Sequence, residues 1–269
     1  MSLQEVRAPA VAGAFYPRSI LELNQMLDTY LSRADPAALD GVRAVIVPHA
    51  GYIYSGPIAA FGYKVLAEQE QSPTRIYLLG PSHRGWFPGV ALADYEAFQT
   101  PLGNQPVDQE ALHRLADDSD LFHLLPHAHD NEHSLEVQLP FLQRLYPDVP
   151  IVPILFGNVD PEEVGRVLVK HLEAQDLIVV SSDLSHYHDY TEARRLDQTF
   201  LDALLSNNPA QVDQGEACGR APILALMTIA EEQGWEPHLL DYRSSGDTAG
   251  DRAQVVGYAA IAYAEARDG

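Results

Sequence analysis

Short runs of consecutive apolar residues alternate along the chain with longer stretches in which apolar positions recur every three or four residues. The runs at 45–47, 76–79, 151–155 and 177–180 are bounded by turn residues and too short for buried helices, so they predict strands covered on both faces. Residues 90–92 read as a further strand, and 238–242 and 255–264 close the chain as strands or as a strand and a helix. Leu21, Leu23, Met26, Leu27 and Leu31 fall on one helical face over 20–31, with Ser19 placed to cap it. Helices are also predicted over 59–68, 108–117, 134–145, 161–173 (Pro161 in its first turn), 191–205 and 221–233. The Gly/Tyr-rich stretch 51–56 reads as a loop. Strands alternating with helices of this length imply an α/β fold. The expected architecture is a central, largely parallel or mixed sheet flanked by helices. No repeat and no linker-like stretch divides the chain, so a single domain over 1–269 is expected.

Three of the strand-like runs lead to a histidine in the same local setting. These are His49 in Val47-Pro48-His49-Ala50-Gly51, His83 in Gly80-Pro81-Ser82-His83, and His186 in Ser181-Ser182-Asp183-Leu184-Ser185-His186. Loops past the carboxyl ends of the strands build the site in open α/β sheets, and imidazole serves as metal ligand or as acid–base group near neutral pH. One strand–helix–strand unit separates His49 from His83, which predicts neighbouring strand ends. Tyr52, Tyr54 and Ser55 follow His49 and offer ring faces and hydroxyls to a substrate. Asp183 and His186 share a face if the segment turns helically, and a carboxylate beside an imidazole suits a general base. Asp183 as a helix cap is the structural alternative.

The stretch 123–136 is rich in histidine but lacks a zinc-protease HExxH pattern. His127 and His129 are expected in a solvated loop, whereas His133 and Glu136, three apart, are candidates for the site. Cys218 precedes a helix and adjoins Arg220, a setting that lowers a thiol pKa. Its own segment holds no other ligand-type side chain, so it is expected to be a small buried residue dispensable for metal binding. Asp247, in the polar loop 242–251, could supply a carboxylate to two histidines, the ligand set of non-haem Fe(II) sites. It could equally bond its own backbone in a surface turn.

With 17 Lys and Arg against 38 Asp and Glu, the net charge is −21. That excludes sequence-independent binding to nucleic acid or to an anionic membrane, both of which need basic patches. No apolar run approaches the ~20 residues of a membrane helix, and Met1–Glu5 lacks the charged and apolar regions of a signal peptide. The single cysteine allows no intrachain disulfide, which fits a reducing cytoplasm.

Taken together, the motifs resemble the Memo family, found in bacteria and archaea as AmmeMemoRadiSam system protein B. The segments that carry the resemblance are Ala12-Gly13-Ala14-Phe15-Tyr16-Pro17, Pro48-His49-Ala50-Gly51-Tyr52-Ile53-Tyr54-Ser55-Gly56, Leu79-Gly80-Pro81-Ser82-His83 and Thr100-Pro101-Leu102-Gly103. Further on come Glu132-His133-Ser134-Leu135-Glu136, Ser181-Ser182-Asp183-Leu184-Ser185-His186-Tyr187 and Val256-Gly257-Tyr258-Ala259-Ala260. The family is similar in structure to the LigB-type (class III) extradiol dioxygenases, which hold Fe(II) with two His and one Glu. The resemblance implies His49 and His83 as metal ligands, His186 as the acid–base histidine with Asp183 beside it, and His133 as a further site histidine. Animal members use a Cys from the last loop as third ligand. This chain has none there, so Asp247 is expected in its place, with Thr248 the nearest ungapped match. The cofactor implied is Fe(II), with Zn or Cu as alternatives, and the partners implied are an AMMECR1-like protein and a radical SAM protein. Three functions stay open: a non-haem iron oxidoreductase or dioxygenase, a binding protein that holds a peptide or partner in the same cleft, and a metal-dependent hydrolase.

Overall fold

The computed structural model describes residues 6–266; Met1–Glu5 and the last three residues of the expected domain lie outside them. In chain order the elements begin with α1 (Ile20–Arg33), β1 (Val42–Val47), α2 (Tyr52–Ala67), β2 (Arg75–Pro81) and β3 (Val90–Leu92). A small hairpin, β4 (Ala97–Thr100) and β5 (Gly103–Pro106), precedes α3 (Gln109–Asp118) and β6 (Phe122–Leu124). Then come α4 (Leu139–Leu145), β7 (Ile151–Phe156), α5 (Pro161–His171), β8 (Asp176–Ser181) and β9 (His186–His188). The chain closes with α6 (Tyr190–Leu205), α7 (Pro209–Val212), α8 (Arg220–Gln233), β10 (Trp235–Ser244), α9 (Ser245–Thr248) and β11 (Val255–Glu265). Side-chain caps start the helices where expected: Ser19 accepts from the Glu22 N–H, and Asp108, Asp160 and Asp189 do the same for α3, α5 and α6.

Nine strands form one mixed sheet in the order β10-β11-β1-β8-β2-β7-β3-β6, with β9 paired to β11 off this path. The central β1, β8, β2 and β7 are parallel; β10 and β11 run against their neighbours, and β3 is antiparallel to β7 but parallel to β6. Every residue of β7 and β8 is buried, as a parallel core covered by helices requires. The single α/β domain with a largely parallel sheet is therefore as the apolar pattern implies. Both closing segments are strands, and β11 completes the sheet against β1.

Four local features depart from expectation. The 51–56 stretch is not a loop but the opening turns of α2, with Gly51 at the cap. Tyr52 drives this: its ring packs between Tyr16 and Phe141, and its hydroxyl donates to the Val137 carbonyl. That anchorage offsets Pro57, whose missing N–H removes one helical hydrogen bond. Residues 136–138 form a 3₁₀ turn before α4 rather than a continuous helix. The short strands β4, β5, β6 and β9, of three or four residues, carry too little periodicity to be read from the chain. Finally, β8 lies between β1 and β2, so the His49 and His83 strands are not neighbours.

The N-terminal segment is tied to the 129–136 segment by a buried ion pair. The Arg7 guanidinium (side chain 2% exposed) meets the Glu136 carboxylate (0%) at 2.7 Å and also donates to the His129 and Glu132 carbonyls. Glu136 accepts in addition from the Tyr16 hydroxyl and from the Ala10 and Val11 N–H groups. Glu136 thus serves the fold rather than the site.

His129 is not solvated but buried, its Nε2 3.0 Å from the Ala91 carbonyl. Burial holds its pKa down to about 3, the carbonyl contact opposing this only in part. The folded-state value lies below the unfolded one, so the unfolded chain takes up the proton first. The stability contribution is whole above about pH 6.5 and is lost as pH falls towards 3. Urea unfolding at pH 7 and pH 5 is expected to show a drop that shrinks in His129→Gln by up to about 1.4 kcal/mol per pH unit. An unchanged slope would contradict this role.

Candidate metal centre

Pro48 and His49 continue directly from β1. The Asp183 carboxylate, beyond the end of β8, accepts from the His49 N–H at 2.8 Å and from the Ala50 N–H, fixing the turn that carries the ring. The ring's Nδ1 lies 2.8 Å from Ser181 Oγ. Ser181 has one proton and three polar neighbours. It donates to the Ser134 carbonyl at 2.6 Å, and Gln138 Nε2 donates to it at 2.7 Å. Only one arrangement satisfies all of these: His49 carries its proton on Nδ1 and turns an unprotonated Nε2 away from Ser181.

His83 is held from the other side. Glu132 Oε1 is 2.9 Å from the His83 Nδ1, and Oε2 accepts from the His83 N–H at 2.5 Å. Oε1 also accepts from the His133 and Ser134 N–H groups, each at 2.9 Å. Burial alone would raise the Glu132 pKa, but these bonds, led by the one from the His83 ring, hold it down to about 2. The segment reaches β2 this closely because Gly80 has no side chain there; a Cβ would lie 2.6 Å from Leu135 Cδ2.

Among the described residues, His49, His83 and His133 offer ligand atoms all within 4.8 Å of one another. The His83 and His133 rings are stacked with centroids 4.6 Å apart, and His49 stands edge-on to both at 5.2 and 5.4 Å. His49 is buried, His133 half-buried and His83 open to solvent, so the cluster has one accessible side. Burial pushes the His49 pKa down to about 3, helped by the nearby His83, and that of His133 down to about 4, helped by His49. Both rings are neutral at neutral pH, as a metal ligand must be. The second nitrogens differ. Those of His49 and His83 have partners, whereas the buried His133 Nδ1 makes no hydrogen bond. His133 Nδ1 faces only Glu132 Oε1, at 3.3 Å, and three imidazoles this close, two of them with one nitrogen held by a partner, suit a divalent cation.

Cys218 comes closer to the cluster than reading the chain suggested. Its Sγ lies 3.2 Å from His49 Nε2, on the side away from Ser181. Burial and the Asp183 carboxylate push its thiol pKa up, while the Asp183 N–H donates to Sγ at 3.1 Å. Arg220 does not lower it as expected: that guanidinium turns to the Gly215 carbonyl and Asp213. A nearby cation would deprotonate such a thiol outright. Gly219 sets the approach, since a Cβ there would fall 2.5 Å from Ser182 Cβ and 2.7 Å from the Ser181 carbonyl. Gly219→Ala is expected to push the Cys218 loop off His49 and cost about 1–3 kcal/mol. Thermal unfolding and the reaction rate of Cys218 with a thiol reagent would check this, the rate rising as the thiol is exposed.

The other expected site residues fall in different places. The Asp247 carboxylate closes a capping box with Ser244 and accepts from the Tyr190 hydroxyl at 2.7 Å, so it is bound within its own turn and is no member of the imidazole cluster. Thr248 Oγ1 donates to the Ser245 carbonyl in the same turn. Tyr52 is 1% exposed and Ser55, also 1%, donates to the Ala50 carbonyl; both are framework rather than substrate contacts. Tyr54 is half-buried against the Ile58–Tyr258 cluster. Asp183 and His186 do not share a helix, because the chain enters β9 there. Asp183 hydrogen-bonds main chain instead, yet its charge acts on both His186 and His133. His186 borders a cleft of roughly 500 Å³ whose walls include Pro81, Ser82, Phe156, Cys218 and Arg220.

The fold and the imidazole cluster define an α/β protein with a candidate metal site at its parallel strand ends. A family model described as "Memo-like protein" matches residues 7–262, and the chain belongs to that family. A MEMO1 family protein of Archaeoglobus fulgidus is 38% identical over 273 residues, covering 96% of this chain and 99% of its own. Counterparts from Ignicoccus hospitalis and Methanopyrus kandleri are each 37% identical, covering 96% of this chain and 98% of theirs. The crystal structure of the uncharacterized protein JW3007 from Escherichia coli K12 has the same fold: TM-score 0.53 at 16% identity, over 81% of this chain and 99% of that one. Among the described residues no helix is long and apolar enough to cross a membrane.

Proposed function

We propose that this chain is a metal-dependent oxidoreductase of the non-haem Fe(II) kind, acting on a small aromatic or peptide-borne group. The observation that supports it is the imidazole cluster of His49, His83 and His133, with ligand atoms within 4.8 Å of one another and the Nδ1 atoms of His49 and His83 held by Ser181 and Glu132. These two would hold the ion, with Cys218 rather than Asp247 as further donor. When bound, the ion would supply Lewis-acid and redox chemistry there. The chain's own residues do the rest. Pro81 and Phe156 give the otherwise polar cleft an apolar edge against which a flat group can lie, and His186 at its border takes the substrate proton. Asp183 keeps the His49 turn in place.

Anaerobic purification with metal analysis, followed by oxygen uptake with catechols, tests this reading. Iron near one ion per chain and uptake above the metal-free control are expected, on the scale of one ion to one such ligand set. His186→Ala is expected to keep its metal and lose turnover. Zinc with hydrolytic activity, or copper without oxygen uptake, would overturn the iron assignment.

A second reading is favoured by a separate observation. Ile53, Trp86 and Tyr187 are 54%, 80% and 70% exposed, and each lies within four residues of a site histidine in the chain. Exposed large apolar side chains beside a cleft suit a protein partner. An AMMECR1-like or radical SAM protein is the candidate, and loss of co-purification in Trp86→Ala would support it.

A further inference from the structure

Both carboxylate oxygens of Glu132 already accept hydrogen bonds, and Oε1 also lies 3.3 Å from the His133 ring Nδ1. Four N–H donors converge on it: the His83 ring at 2.9 Å, the His83 main chain at 2.5 Å, and the His133 and Ser134 main chains at 2.9 Å each. Its side chain is 1% exposed. An acceptor surrounded in this way forces the proton of His83 onto Nδ1 and leaves the lone pair of Nε2 free. The same oxygen that takes the ring proton also takes the N–H of His133. One carboxylate therefore sets the tautomer of one cluster imidazole and the main-chain position of a second. Behind it, Arg7 donates to the Glu132 carbonyl at 2.6 Å and holds the backbone that aims the carboxylate.

We infer that Glu132 is a positioning residue that presets His83 and His133 for a divalent transition-metal ion, a role that rests on reading the cluster as a metal site. Ser181 is its counterpart for His49, but a neutral hydroxyl polarises a ring less than a carboxylate does. His83 is accordingly the stronger donor of the pair, and Glu132 is the residue through which the affinity of the site is set.

The test needs no turnover. In metal-free protein labelled with ¹⁵N-histidine, the long-range ¹H–¹⁵N spectrum reports which nitrogen of His83 carries the proton, the signal being assigned by its loss in His83→Gln. Wild type is expected to show the Nδ1–H form. Glu132→Gln is expected to shift it towards the Nε2–H form and to weaken Zn(II) and Co(II) binding about 10–100-fold in chelator competition. Glu132→Asp, which keeps the charge but shortens the reach, should fall between. A wild-type His83 protonated on Nε2 would overturn the inference even if neither variant folds. So would a folded Glu132→Gln protein with unchanged tautomer and affinity. A wild type with the expected tautomer that binds neither ion would overturn the metal reading, and with it the role of Glu132 towards an ion.

Discussion

Replacing His49 by alanine is expected to empty the metal centre while leaving the protein folded. The ring is buried, but the groups around it keep other partners: Ser181 the Ser134 carbonyl and Gln138, Asp183 the main-chain N–H groups of the turn, and Cys218 the main chain of Asp183. What is lost is the unprotonated Nε2. Structural zinc sites bind with roughly 10–16 kcal/mol over four ligands, or about 3 kcal/mol for each. Tenfold per 1.4 kcal/mol then gives a weakening of about 100-fold. His133→Ala is the contrasting case. Its Nδ1 meets only the Glu132 carboxylate, at 3.3 Å and without a hydrogen bond, so its loss is expected to cost no more than about tenfold, against the 10–100-fold that outer partners are worth. Elemental analysis and competition with a chelator would measure both. Equal losses in the two variants would show that His133 ranks with His49 as a ligand.

The largest loss of stability is expected at Arg7, far from the cluster in the chain. Arg7→Ala leaves the Glu136 carboxylate buried without its cation and removes the donor from the His129 and Glu132 carbonyls. Breaking one side of a buried pair costs about 3–5 kcal/mol. At about 2–4 °C per kcal/mol for a chain of this size, the midpoint of thermal unfolding should fall by roughly 6–20 °C. Arg7→Lys should recover only part, because a point charge cannot reach a carboxylate and two carbonyls with one planar fork. Since Arg7 also holds the backbone of Glu132, metal affinity should fall with stability. A midpoint within about 2 °C of wild type would mean that the N-terminal segment contributes little, well below the scale of a buried pair.

The layered architecture and two of the site histidines were legible because each is encoded locally. An apolar run ending at a turn marks a strand end, so His49 and His83 announce themselves within a few residues. Ser19, Asp108 and Pro161 mark helix starts in the same way. Cys218 and Glu132 were not legible, because each reaches the cluster from a different loop: Cys218 through the approach that Gly219 allows, Glu132 across the bend before α4. Their own neighbourhoods hold no sign of the ring each one meets. Asp247 failed for the opposite reason. A carboxylate three residues past Ser244 satisfies a capping box, and that local demand took precedence over a distant ion. Tyr52 and Ser55 look like binding groups by chemistry, yet the helix they begin turns them inward.

The placement of β8 between β1 and β2 governs when the centre can come into being. During synthesis both outer strands, with His49 and His83, leave the ribosome well before residues 176–181, and they cannot pair with each other in the native order. Ser181, which sets the proton of His49, arrives with the inserted strand, and Cys218 follows later still. Closure of the sheet against β1 waits for β11. Pairings of such long range form slowly. A nascent chain therefore exposes these histidines before the groups that orient them, and the imidazole cluster is set in place only after β8 has been inserted.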